Sequence, residues 1–324
     1  MAETVNIAKM AEKLSGQLFS EFLWGVAGPT NQNWACENER HKAGTHPSDA
    51  VFYYDEPYRK ARTYVNCDLK SYAQGSLKPH TIKSAIQSLA RSLSCLEKSE
   101  QWRKLYIHDY VSPEMCGLLF VYNHDGEYDK NFRQHLCEIK SEELEIPKGS
   151  KIVVLGPQDI FWLDNVRYDI VHMRGNGLLP QRTQCRYHYP HLVRHPNLQL
   201  KVAKAATLEM LTAPWIMLEY DGQPAGRRGL VLYYRRRGES SAEFLYLIDY
   251  LKHYQILGED TDVTIKLLDA APTATATFTK AVQQYAEGWG ENTEISARLH
   301  EIKCERMTQL ITKFSEIELG MGPL

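Results

Sequence analysis

His46-Pro47-Ser48-Asp49-Ala50-Val51-Phe52 and, beyond the turn-rich Asp55-Glu56-Pro57, Tyr64-Val65-Asn66-Cys67-Asp68-Leu69-Lys70-Ser71-Tyr72 are the stretches on which the fold turns. The spacing predicts two strands, over 50–54 and 63–72, joined as a hairpin. Alternate side chains of a strand share a face, so Asp68 and Lys70 project together while Val65, Cys67 and Leu69 point the other way. The second face is apolar; the first carries a carboxylate beside an amine. Asp49, at the head of the neighbouring strand, reaches the same spot.

Two carboxylates a few ångströms apart repel each other unless a cation or a proton lies between them. A hard divalent ion such as Mg²⁺, with Mn²⁺ as a substitute, suits oxygen ligands and retains waters. Such an ion activates water and neutralises charge on a phosphate. Lys70 then adds a fixed positive charge to the transition state. This set is complete enough for phosphodiester hydrolysis, with Asp49, Asp68 and Lys70 as catalytic residues.

Pro47-Ser48-Asp49, a gap, then Asp68-Leu69-Lys70 resembles the signature of the PD-(D/E)XK nuclease superfamily, over residues 5 to 125. The resemblance implies a restriction-endonuclease-like αβββαβ core and an Mg²⁺-dependent deoxyribonuclease. It implies a third metal carboxylate from the opening helix, with Glu21 as candidate and Glu37 or Glu39 as alternatives. It also implies a polar residue on the next helix, for which Gln87 is the match. By analogy with the superfamily, the setting is bacterial defence against foreign DNA, in a homodimer or with a second protein subunit. The alternatives are a nuclease-like subunit that binds nucleic acid without cutting, and an RNA-directed nuclease.

Working outward, residues 8–24 have helical apolar spacing (Met10, Leu14, Leu18, Phe22) and stop at Gly25 and Gly28-Pro29. A second helix is expected over 79–98, and short buried strands over 117–122 and 151–155. From Ala213 a β-β-α-β-α succession suggests a small α+β sandwich, ferredoxin-like in order. A helix over 291–318 closes the chain. The expected class is mixed α/β with a C-terminal α+β region, divided into a nuclease domain (1–150), a basic connecting segment (151–212) and a C-terminal domain (213–324) for DNA binding or assembly.

The chain has 324 residues and a formal charge of -2, from 38 Lys or Arg against 40 Asp or Glu. That balance hides segregation. No acid occurs from Ile170 to Leu208, where Arg182, Arg186 and Arg194 stand with Tyr187 and Tyr189. A second cluster, including Arg227, Arg228, Arg235 and Arg236, brackets the strand expected over 230–234. Clustered cations bind phosphate and aromatic rings stack on bases, so Arg182, Arg186, Arg194, Arg235 and Arg236 are the candidate DNA contacts. Pairing of the arginines with acidic helices is the structural alternative.

Seven scattered cysteines without a C-x-x-C suggest reduced thiols. Cys36, His41 and His46, spaced five apart, are a weaker metal reading, because structural zinc ligands usually sit closer and come in fours. No phosphate-binding glycine loop, serine-hydrolase elbow or HExxH helix is present. No apolar run approaches the roughly 18 residues of a membrane span, so a cytoplasmic protein without membrane partner is expected.

Overall fold

A computed structural model describes residues 2–41, 43–108, 111–190, 203–222, 227–258, 261–288 and 293–308. These divide into two compact units, one up to Asp164 and one from Asn165.

The first unit opens with α1 (Ala2–Glu21). Trp24 N–H donates to Phe19 O at 3.0 Å and Leu23 N–H to Ser20 O at 3.2 Å, with Leu23 at φ 65°. That is a Schellman closure, so the helix ends on a left-handed leucine before the expected glycine stop is reached. Then come β1 (Gly25–Val26), β2 (Gln32–Ala35), β3 (Thr45–Ser48), β4 (Ala50–Asp55), β5 (Ala61–Tyr72), α2 (Pro79–Leu96), α3 (Glu100–Tyr106), β6 (Ser112–Asn123), α4 (Phe132–Cys137) and β7 (Lys151–Leu155). β2 and β3 form a separate antiparallel hairpin. The main sheet has the order β1-β4-β5-β6-β7. β1, β4 and β5 are antiparallel neighbours, whereas β5, β6 and β7 are parallel because helices intervene. α1, β1, β4, β5, α2 and β6 thus reproduce the αβββαβ order.

Helices cover both faces of this sheet. Phe19 of α1 stacks edge-on against Phe52 at 5.0 Å and Phe120 at 6.0 Å. On the opposite face α2 buries Ile82, Ile86 and Leu89 with Leu119 and Val121. A Cβ on Gly117 would meet Leu93 Cδ1 at 2.9 Å, so glycine there permits the close approach of α2. Asn66 and Asp68 lie on this covered α2 face, so the polar side of β5 is buried as well as the apolar one.

α5 (Pro157–Gly175) contains the boundary between the units. The second unit holds β8 (Cys185–Tyr187), α6 (Leu208–Thr212), β9 (Trp215–Asp221), β10 (Arg228–Tyr234), α7 (Ser241–His253), β11 (Thr261–Leu267), α8 (Ala274–Gly288), α9 (Thr293–Glu301) and β12 (Lys303–Arg306). Its sheet runs β12-β11-β10-β9-β8, with β10, β11 and β12 parallel. A sequential order with three parallel strands is not ferredoxin-like: α7 carries the chain back over the sheet before β11, which enforces the parallel pairing. The helix expected over 291–318 ends at Glu301, because residues 303–306 pair with β11 instead. The stretch 151–212 supplies β7 to one sheet and β8 to the other. Among the described residues no helix is long and apolar enough to cross a membrane.

Candidate active site

Asp49 joins β3 to β4, with its N–H on Cys67 O at 3.3 Å. That bond sets it beside the C-terminal half of β5, and its Oδ2 accepts from the Leu69 N–H at 2.7 Å. Asp68 and Lys70 flank that same peptide on the shared face of β5, and the Lys70 ammonium pairs with Asp68 Oδ1. The structure therefore brings Asp49, Asp68 and Lys70 together.

Charge in this site is balanced by geometry. Burial raises the Asp49 carboxyl above its usual range, and the like charge of Asp68 adds to that. The Leu69 N–H and Lys70 pull the other way without cancelling it. Burial alone would lower the Lys70 pKa, but Asp68 beside it, then Asp49, hold it above the ordinary lysine value. Lys70 is thus a fixed cation at neutral pH. Burial also pushes up the Tyr72 hydroxyl, opposed by Lys70, which places Tyr72 within the electrostatic reach of the same face. Asp68 is 8% exposed, and among the described residues the one cation that meets its Oδ1 is the Lys70 ammonium on the same strand face. Two carboxylates this close, one of them driven toward protonation by burial and by the charge of the other, fit a hard divalent cation.

The support beneath this pair was not apparent from spacing. Ser48 Oγ donates to Asn66 Oδ1 at 2.6 Å and accepts from the indoles of Trp34 at 3.0 Å and Trp102 at 3.3 Å. Ser48 is fully buried and directly precedes Asp49. Beyond β5, Asp125 Oδ2 accepts from Gln74 N–H at 2.8 Å and Asn123 Nδ2 donates to Tyr72 O at 2.9 Å, which fastens the strand's end.

A family model described as "GAPS4 protein PD-(D/E)XK nuclease domain" matches residues 1–159. Residues 1–159 belong to the PD-(D/E)XK nuclease superfamily. No curated protein and no solved structure matches the chain. In this PD-(D/E)XK domain, Glu21 is 4% exposed at the C-terminal end of α1. Glu37 and Glu39 lie in the segment between β2 and β3. Gln87 donates to the Glu143 carbonyl at 3.2 Å, engaged with a loop.

The basic candidates belong to the second unit, apart from Arg194, which lies outside the described residues. Arg186 Nη2 is 2.6 Å from Glu219 Oε1, and His188 Nδ1 is 3.0 Å from Glu219 Oε2. Burial would raise the Glu219 carboxyl, but His188 and Arg186 bring it down to about 2. With Arg228, Lys204 and Tyr254 these residues line a cavity of about 450 Å³. Arg235 donates to Leu211 O at 2.7 Å. Arg227 pairs with Asp262, and Arg237 with Glu239 and Asp269. Asp262 belongs to β11 and Asp269 follows it, while Glu239 opens the acidic stretch that the sequence offered as a partner for these arginines. Arg182 and Arg236 are exposed.

Proposed function

We propose that this protein is an Mg²⁺-dependent deoxyribonuclease acting in defence against foreign DNA. The observation that carries the reading is the convergence of Asp49, Asp68 and Lys70 on one peptide of β5. The match to the GAPS4 nuclease domain supports both the activity and the defence setting.

Asp49 and Asp68 would hold the divalent cation; Glu21, the third carboxylate implied by the resemblance, sits on α1, which covers the sheet face opposite the one carrying Asp68. Mg²⁺, or Mn²⁺ in its place, supplies Lewis-acid chemistry there, making a water nucleophilic at neutral pH and neutralising charge on the phosphate. Lys70 keeps its proton, so it orients the attacking water and stabilises negative charge on the phosphate rather than serving as the base. The Leu69 N–H fixes the Asp49 carboxylate against rotation. DNA reaches the protein through exposed cations, of which Arg182 and Arg236 are the best placed to meet solvent. One such site cuts one strand, so duplex cleavage calls for a homodimer or a second subunit.

The test is nicking of a supercoiled plasmid with Mg²⁺ or Mn²⁺ by the native chain, by Asp68→Ala and by Lys70→Ala, with single-stranded DNA and RNA offered in parallel. Cutting by the native chain that both substitutions abolish supports the reading. Intact DNA with every metal and any partner subunit overturns it.

A further inference from the structure

Cys36 follows β2, His41 closes the short turn Glu39–His41, His46 lies on β3, and Cys95 is in the last turn of α2. Four separate segments deliver one metal-binding atom each to a common point, and those atoms lie within 4.8 Å of one another. Cys36 Sγ is 3.7 Å from Cys95 Sγ, 3.6 Å from His41 Nδ1 and 3.1 Å from His46 Nε2. Cys95 Sγ is 3.3 Å from His41 Nδ1. His46 and Cys95 are 5% and 1% exposed.

We propose that Cys36, His41, His46 and Cys95 form a structural Zn²⁺ site that pins the β2–β3 hairpin to the end of α2. Zinc–sulfur bonds of about 2.3 Å and zinc–nitrogen bonds of about 2.0–2.1 Å give tetrahedron edges of roughly 3.8 Å between sulfurs and roughly 3.5 Å between sulfur and nitrogen. The four separations given above match those edges to within a few tenths of an ångström, and the remaining two lie within 4.8 Å. Two cysteines and two histidines fill all four positions, the pattern of a structural site and not of one that must admit substrate. On binding, each thiol releases one proton and the two histidines bind as neutral imidazoles, so the filled cluster carries no net charge. Neutrality suits its buried position. With zinc at Nδ1 the His41 ring keeps its N–H at Nε2, which can donate to Ser94 Oγ at 3.3 Å; the Asn38 side-chain amide also lies 3.0 Å from that atom. The sequence offers the first three ligands five residues apart; the fourth comes from 49 positions beyond His46, across the fold.

The site is separate from the Asp49–Asp68 carboxylates and takes a softer ion, so it stands whether or not the chain cuts DNA. The experiment measures zinc in the full chain, purified without a histidine tag, by mass spectrometry of the metal. The expected result is one zinc per chain in the native protein and in Asp68→Ala, and none in the double variant Cys36→Ser/Cys95→Ser. Equal zinc in the native and double-variant chains overturns the assignment, as does no zinc in the native chain. Should the double variant fail to fold, the native chain grown with cobalt decides: thiolate-to-cobalt charge-transfer and tetrahedral visible bands support the site, and their absence overturns it. A Cys36–Cys95 disulfide in the native chain, read by intact mass without reductant, also overturns it.

Discussion

Arg186 and Glu219 stand directly opposite each other on the antiparallel strands β8 and β9, with Nη2 2.6 Å from Oε1. The most acid-free stretch of the chain thus has its acid supplied across the sheet. Arg186→Ala is expected to act on folding, by about 1–3 kcal/mol, because it removes a charged hydrogen bond from the buried Glu219 and leaves it to His188 and the more distant Arg228. Arg236→Ala is expected to leave thermal unfolding unchanged, and both it and Arg182→Ala to weaken DNA binding and flatten its salt dependence. Melting curves and filter binding at two salt concentrations separate the two behaviours.

Glu219 also sets an acid limit on the second unit. Its carboxyl titrates at about 2 when folded against an ordinary 4.5, so the stabilisation is full above pH 4.5 and is lost as pH falls toward about 2. The amount is on the order of 3 kcal/mol. Hydrogen exchange of the β9 and β10 amides should accelerate over that range in the native chain. Glu219→Gln should be weaker at neutral pH and show a flatter acid response.

Asp49 has the opposite sign. Its carboxyl is raised by burial and by Asp68, so in magnesium-free buffer stability is greatest below the ordinary carboxylate pKa and falls as pH rises through the raised one. Asp49→Asn keeps an oxygen for the Leu69 N–H and removes the charge. The expected outcome is a chain at least as stable at neutral pH by urea unfolding, with plasmid nicking down about 100-fold or more.

Ser48→Ala leaves the indole N–H groups of Trp34 and Trp102 without their acceptor and Asn66 Oδ1 without its donor. A loss of about 2–4 kcal/mol is expected in denaturant unfolding, since buried polar groups stripped of partners bear the full desolvation penalty. Unchanged stability would mean that the serine is not the hub the distances describe.

The hairpin and α2 were legible because local pattern decides them: period-two alternation in 63–72, and apolar residues at helical spacing from Ile82 to Leu96. α5 was not, because Ile160, Leu163 and Ile170 are buried along with Asp164, Asn165 and Asp169, which erases any stripe. Inside the second unit Asp169 is held by Lys266 at 2.9 Å and by the Tyr233 hydroxyl at 2.8 Å, partners far away in sequence. The same limit applied to the site. Asp49, Asp68 and Lys70 could be placed from strand geometry, whereas the Ser48 hub and the fourth member of the Cys36 cluster depend on residues that only tertiary packing brings near.

The donor that holds Asp49 belongs to the main chain, not to the leucine that carries it. Every residue type except proline would present the same N–H at position 69. Alanine scanning would therefore report position 69 as dispensable to the chemistry, and drift in its side chain leaves the clamp in place. The part of the site most tolerant of sequence change is also the part that aims the Asp49 carboxylate.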